Sequence, residues 1–268
     1  GLIAKDALLR KGGMQPGDAL ILTKPIGTGT LFAADMRGKA KGRWVDGAIQ
    51  SMLVSNQAAA ACLHRRGATA CTDVTGFGLL GHLVEMTRAS DADVQLELAA
   101  VPLLDGAEQT VAAGILSSLQ PQNVRLRRAV RDPETLSGHA RYPLLFDPQT
   151  SGGLLASVPA ESATACLEEL HASGYPQAVI IGRVESRTHR PGNAMGGGGQ
   201  KSASRTLRMV MPSLEEAATK CQGSLSGCAP ASVSTSRIRG LSVVASVSRA
   251  TGRGVGQRAR ACSSIRHP

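Results

Sequence analysis

Apolar positions change their period several times along the first 185 residues, and each change marks an element. Ala19–Leu22 form an unbroken apolar run after the turn signal of Gln15–Asp18, which predicts a short buried strand stopped by Pro25. Ile26–Met36 begin as a loop carrying Gly27 and Gly29 and enter a second apolar stretch. Between Val45 and Arg66, Ile49, Leu53, Ala60 and Leu63 recur at helical spacing, and Gly67 stands where a helix C-cap belongs. One long helix is predicted there. Residues 68–75 are small and β-branched, a buried strand; residues 76–90 place Leu79, Leu83 and Met86 on one side of a helix. Val94, Leu96 and Leu98 alternate as a half-buried strand. Residues 103–116 read as a helix, 117–123 as a turn-rich loop, and 125–140 as an exposed polar connection. Residues 142–159 predict a strand, a loop with Pro148 and Gly152–Gly153, and a second strand. An amphipathic helix with Cys166, Leu167 and Leu170 follows, closed by Gly174, and residues 177–184 are a last buried strand. Helices alternate with strands, so residues 1–185 are expected to form an α/β (α+β) sandwich with helices against a sheet.

After Glu185 the patterning stops. The formal net charge of +10 belongs to this part: residues 186–268 hold 13 Lys/Arg and 2 Asp/Glu, leaving 30 − 13 = 17 basic and 20 − 2 = 18 acidic residues before them. All six aromatic residues (Phe32, Trp44, Phe77, Tyr142, Phe146, Tyr175) lie in the first part. With few large apolar residues to offset the entropy of ordering, 186–268 is expected to be a low-complexity, disordered basic tail. It lacks the aromatic interleaving of base-stacking proteins, which leaves weak, salt-sensitive contact with nucleic-acid phosphates as its one nucleic-acid role. Six cysteines show neither C-x-x-C nor zinc-finger spacing, and Cys62, Cys71 and Cys166 sit in apolar runs as buried thiols would. No apolar run approaches a membrane span, and no leader-like segment opens the sequence. A cytoplasmic setting is expected.

The chemistry-bearing stretch is residues 71–86, CTDVTGFGLLGHLVEM. Asp73 stands between a strand and a helix start built from Thr75, Gly76 and Gly78. Asp73 or Thr75 can cap the helix; alternatively Asp73 offers hard oxygen to a divalent cation while the glycine-flanked helix start faces phosphate. Composition leaves both readings open. TKPIGTG (residues 23–29) sets Lys24 beside two glycines but lacks the order of a Walker loop, so an ordinary turn is favoured. His82 reads as a packed or helix-surface histidine. FDPQTSGG (146–153) reads as a turn initiated by Asp147 and Pro148, and Asn56 as a polar residue bonding a neighbouring loop.

Taken together, PGDALILTKPIGTG, SMLVSNQAAA, CTDVTGFGLLGHLVEM, SSLQPQN and LLFDPQTSGGLL resemble, in order and spacing, the C-terminal half of selenophosphate synthetase (selenide, water dikinase), of the aminoimidazole ribonucleotide synthetase superfamily. The resemblance covers about residues 1–184. It implies that superfamily's C-terminal fold, ATP and selenide as substrates, Mg2+ as cofactor, and a homodimer in the complete enzyme. It also implies that Asp73 is a magnesium-binding aspartate, with Thr75, Gly76 and Gly78 as supporting backbone near the phosphates. The family's reactive Cys or selenocysteine, its Lys and its further metal aspartates belong to an N-terminal half that this chain does not match. No catalytic residue is therefore expected in this chain, and inactivity of the chain alone is. A sister ATPase of purine synthesis or hydrogenase maturation, and a non-enzymatic module with an RNA-binding tail, are the alternatives.

Overall fold

The computed structural model describes residues 8–131, 133–187 and 206–209, the last of these as main chain only. Strands β1 (Ala19–Leu22), β2 (Ala70–Asp73), β3 (Asp93–Glu97), β4 (Leu154–Val158), β5 (Val179–Glu185) and β6 (Thr206–Met209) form one sheet in the order β2-β4-β1-β5-β3-β6. Every neighbouring pair is antiparallel. Ile21 lies opposite Ala156 on one side and Ile180 on the other, and a bulge shifts the β1–β5 register between Leu20 and Ile21. Where β5 passes β3, a Cβ on Gly182 would stand 2.2 Å from the Gln95 carbonyl oxygen, so only glycine permits that approach.

Period-two alternation divides the sheet between two cores. Leu20, Leu22, Val94, Leu96, Leu155 and Ile181 face a large cluster built with α1 (Thr28–Asp35), α2 (Gly42–Leu53), α4 (Gly78–Ser90) and α5 (Ala107–Ala112). Ile21, Cys71, Leu154, Ala156 and Val158 face a smaller one with α3 (Gln57–Arg65) and α8 (Ala160–Ala172). The layers are helix, sheet, helix, as the alternation of patterns predicts.

The apolar stretch after Gly27, which the pattern left without an element type, is helix α1. Four expectations change. The long helix over Val45–Arg66 is two helices, broken at Val54–Asn56, because the carbonyls of the break are used elsewhere: Val54 O accepts from Lys24 Nζ at 2.5 Å and Ser55 O from the Tyr175 hydroxyl. Tyr142–Phe146 is a 3-10 turn, not a strand; all but Pro143 are buried in the larger core, and Tyr142 meets Phe146 edge-on at 5.2 Å. The loop at 117–123 contains the single turn α6 (Gln120–Asn123), and the polar connection holds a 3-10 turn (Val124–Ala129) and α7 (Pro133–Leu136), with Ala129, Val130 and Leu136 buried. Within the stretch expected to be disordered, Thr206–Met209 pair with Val94–Glu97 as strand β6; apart from these and Ser186–Arg187, that stretch lies outside the described residues. Cys62, Cys71 and Cys166 are buried free thiols, as read, and burial pushes Cys62 and Cys71 up to about 12.

Candidate functional site

Strands β1 and β2 end, and β4 begins, at the same edge of the sheet, because both run antiparallel to β4. Three loops therefore meet there: residues 23–29 after β1, 74–77 after β2, and 147–153 before β4. Backbone bonds knit them. Thr23 N donates to Leu154 O (3.0 Å), Val74 N to Gly153 O (2.9 Å) and Gln149 N to Thr75 O (3.0 Å). The adjacent glycines of the third loop are steric requirements: a Cβ on Gly152 would lie 2.1 Å from Val74 O, and one on Gly153 2.6 Å from Lys24 N.

The first loop is fully occupied by the third. Gln149 Oε1 accepts from the backbone N–H of Gly27 (2.9 Å) and Thr28 (3.2 Å), and Asp147 Oδ2 accepts from Gly29 N–H (3.1 Å). Gln149 Nε2 in turn donates to Asp147 Oδ2 at 3.0 Å. The N-terminus of α1 is thus capped by an amide and a carboxyl from 118 to 122 residues downstream, in the place where a phosphate would sit in a nucleotide loop. Asp147 is wholly buried with Oδ1 unpartnered, and burial pushes its carboxyl up to about 7, against the lowering effect of the backbone and amide bonds. Lys24 is no free cation either. It is 4% exposed, its ammonium donates to Val54 O and to Ser151 O (3.2 Å), and burial lowers its pKa. Residues 23–29 form the structural turn that the sequence favoured, not a phosphate loop.

The second loop differs. Asp73 ends β2 and is the one exposed residue of that strand. Among the described residues no hydrogen bond or ion pair to its carboxylate is found. It helps to line a cavity of about 340 Å3 with Leu9, Lys11, Ala60, Cys71, Thr72 and Leu154. The helix that follows has no side-chain cap and no acidic residue in its first turn. Neither Asp73 nor Thr75 caps it. Thr75 N–H donates instead to His82 Nε2 at 3.0 Å, with Thr75 Oγ1 3.2 Å from the same nitrogen. His82 is buried against Phe77 (ring centroids 5.6 Å), and burial lowers its pKa while the Glu85 carboxylate works the other way.

Gly78 and Gly76 separate in role. Gly78 has φ +70°, and a Cβ there would lie 2.8 Å from the Phe146 carbonyl carbon and 2.9 Å from Leu145 O. Gly76 has open space within 4 Å of its virtual Cβ. Its carbonyl is held by Asn123 Nδ2 at 2.9 Å, which also donates to Phe146 O at 3.0 Å. Asn56 Nδ2 steadies the third loop through Gly152 O at 2.8 Å.

The structure therefore brings Asp73, Thr75, Gly76 and Gly78 onto one loop at the loop-bearing edge of the sheet. His82, Asn123, Gln149 and Asp147 were not singled out as parts of a common site by the sequence; their only local signals are a lone buried-type histidine and amides in turn-rich stretches. As a cation site, the donor chemistry of Asp73 fits, being hard oxygen without an internal partner. The number of donors does not: among the described residues no group of three or more His, Cys, Asp or Glu could hold a metal ion. Asp73 offers one ligand, not a cage.

This antiparallel sheet between two helix layers, with its three knitted loops, is the C-terminal fold of the AIR synthase related proteins. The model of that family's C-terminal domain matches residues 15–190, and the chain belongs to it. The chain is 36% identical over 190 residues to selenide, water dikinase 2 of Peptoclostridium acidaminophilum, covering 71% of this chain and 54% of that protein. It is 38% identical over 189 residues to the selenide, water dikinase of Geobacter metallireducens, covering 70% and 55%. The chain thus spans about half the length of the curated relatives it matches. Among solved structures, that of E. coli HypE superposes with a TM-score of 0.50 at 19% identity, over 70% of this chain and 49% of that one, a likeness of fold. No helix among the described residues is long and apolar enough to cross a membrane.

Proposed function

We propose that residues 1–185 are the C-terminal domain of a selenide, water dikinase, which converts ATP, selenide and water to selenophosphate, AMP and phosphate in the cytoplasm. The observation that carries this reading is the carboxylate of Asp73, which has no hydrogen bond or ion pair among the described residues and stands on a loop held by the Thr75 amide to His82 and by the Gly76 carbonyl to Asn123. Its family setting is the identity to relatives named for that reaction. Asp73 would hold a Mg2+ through one carboxylate oxygen, and further ligands would have to come from outside the described residues. When bound, the ion neutralises charge on the phosphates during phosphoryl transfer. Thr75 and Gly76 shape the backbone beside it, and Gly78 fixes the entry of α4. The complete enzyme is a homodimer, and the basic segment after Glu185 adds at most loose, salt-sensitive contact with nucleic acid.

The test is selenide-dependent formation of AMP from ATP, by this chain alone and then mixed with the separately expressed N-terminal half of a full-length relative. Silence alone and activity on mixing, lost when Asp73 is replaced by Asn, is the expected result. Near-normal turnover with Asp73→Asn removes Asp73 from the site. Turnover with formylglycinamidine ribonucleotide in place of selenide reassigns the chain to a sister activity.

A further inference from the structure

Helix α4 has no side-chain cap, and the backbone N–H of Thr75, just before its start, is taken by an imidazole rather than by a nearby aspartate or threonine. A backbone N–H can only donate, so His82 Nε2, 3.0 Å from Thr75 N, must present its lone pair, and the ring proton sits on Nδ1. Nδ1 faces Glu85 Oε2 at 3.4 Å, a contact too long for a full hydrogen bond but favourable for an N–H beside a carboxylate. That same oxygen accepts from Lys11 Nζ at 2.7 Å. Phe77 meets the ring at a tilt, with centroids 5.6 Å apart. A chain of contacts thus runs from Lys11 through Glu85 and His82 to Thr75, two residues beyond Asp73.

We propose that His82 is the positioning residue of the Asp73–Gly78 loop: as the Nδ1–H tautomer, oriented by Glu85, it satisfies the Thr75 amide and so leaves the Asp73 carboxylate free to face a divalent cation. Without the imidazole, Thr75 N–H needs another acceptor, and the nearest acidic side chain in sequence is Asp73 itself. The metal side of this inference rests on the proposed function, but the loop side does not.

Two readouts separate them. In the folded chain at neutral pH, 15N shifts of the His82 ring report the tautomer, and hydrogen exchange reports the Thr75 amide. The expected result is a protonated Nδ1 with an unprotonated Nε2. Thr75 exchange should be at least about tenfold faster in His82→Phe and close to wild type in His82→Gln, whose Oε1 can take the place of Nε2. Mn2+, used as a paramagnetic probe, should broaden the amides of residues 73–78 in wild type and His82→Gln, and need at least about fivefold more metal in His82→Phe. An Nε2–H tautomer, or Thr75 exchange indifferent to His82→Phe, overturns the proposal. Should His82→Phe not fold, the wild-type tautomer and the His82→Gln exchange rate decide by the same criteria. A correct tautomer and exchange pattern with no Mn2+ effect in wild type overturns Asp73 as a cation ligand and leaves His82 as the acceptor that orders the loop.

Discussion

At the scale of single residues, groups of the same type do opposite work. Gly76 and Gly78 stand two apart in one loop, yet a methyl group at Gly76 meets nothing within 4 Å while one at Gly78 strikes backbone in a left-handed conformation. Gly78→Ala is expected to cost at least about 1–3 kcal/mol for the backbone conformation alone, and Gly76→Ala to stay within about 0.5 kcal/mol of wild type. Chemical denaturation followed by the single tryptophan, Trp44, measures both. The two aspartates differ as sharply. Asp73 is exposed and has no hydrogen bond or ion pair among the described residues, whereas Asp147 is buried and pushed up to about 7. Its folded value lies above its unfolded one, so between about pH 4 and 7 the folded chain keeps a proton that the unfolded chain has released, and stability falls as pH rises through that window. By pH 8 the deficit is on the order of 4 kcal/mol. Asp147→Asn removes it. The melting temperature of the variant minus that of wild type is expected to climb from pH 5 to pH 8 and then level; a flat difference would mean the carboxyl is ionised throughout. His82, with its pKa lowered, contributes in the opposite sense at low pH, and taking the difference between the two proteins cancels that contribution.

At the scale of elements, what the sequence revealed follows from where each element's partners lie. Strands β1, β2, β4 and β5 and helices α4 and α8 carry their own pattern, because the sheet fixes a period of two and each helix buries a stripe. The break at Val54–Asn56 carries none: it exists because Lys24 and Tyr175, far away in sequence, take its carbonyls. Tyr142–Phe146 reads as a strand because a wholly apolar run looks the same in a buried strand and a buried 3-10 turn. The candidate site divides in the same way. Asp73 and the glycines after it were legible as a loop between strand and helix; the structure removes the capping reading, since α4 has no side-chain cap, and the cation ligand stands as a proposal. The sequence could not show that the glycine-bearing loop before α1 is filled by Gln149 and Asp147. That cap makes a prediction of its own. Gln149→Leu leaves the N–H groups of Gly27 and Thr28 without an acceptor and removes a donor from Asp147, for an expected cost of roughly 2–4 kcal/mol. Hydrogen exchange should show the loss first in the first turn of α1; equal loosening across the sheet would instead mean that Gln149 matters by its bulk.

At the scale of the molecule, the boundary between patterned and unpatterned sequence can be set against the sheet. Both cores are built from residues between Leu9 and Val184, so the described fold draws its apolar burial from before residue 186. Strand β6 is the exception to that boundary. It covers the outer edge of β3 with backbone pairing from Thr206–Met209, which lie in the basic segment. A chain ended after Arg187 tests how much that edge matters. It removes twelve of the thirteen basic residues beyond residue 185, Arg187 being the one kept, and both acidic ones, so the formal charge falls from +10 to 10 − 12 + 2 = 0. Because the strand adds backbone bonds at an edge and the cores stay whole, the shortened chain should unfold cooperatively, with unchanged Trp44 emission and a melting temperature within about 4 °C of the full chain, as a loss near 1 kcal/mol implies. Exchange should quicken at those β3 amides that face β6 and stay slow in β1 and β4, which lie inside the sheet. With its net charge near zero, the shortened chain should also lose retention on a phosphate-bearing resin at low salt. Loss of cooperative unfolding would instead show that residues after 187 complete the core, and would move the domain boundary beyond β6.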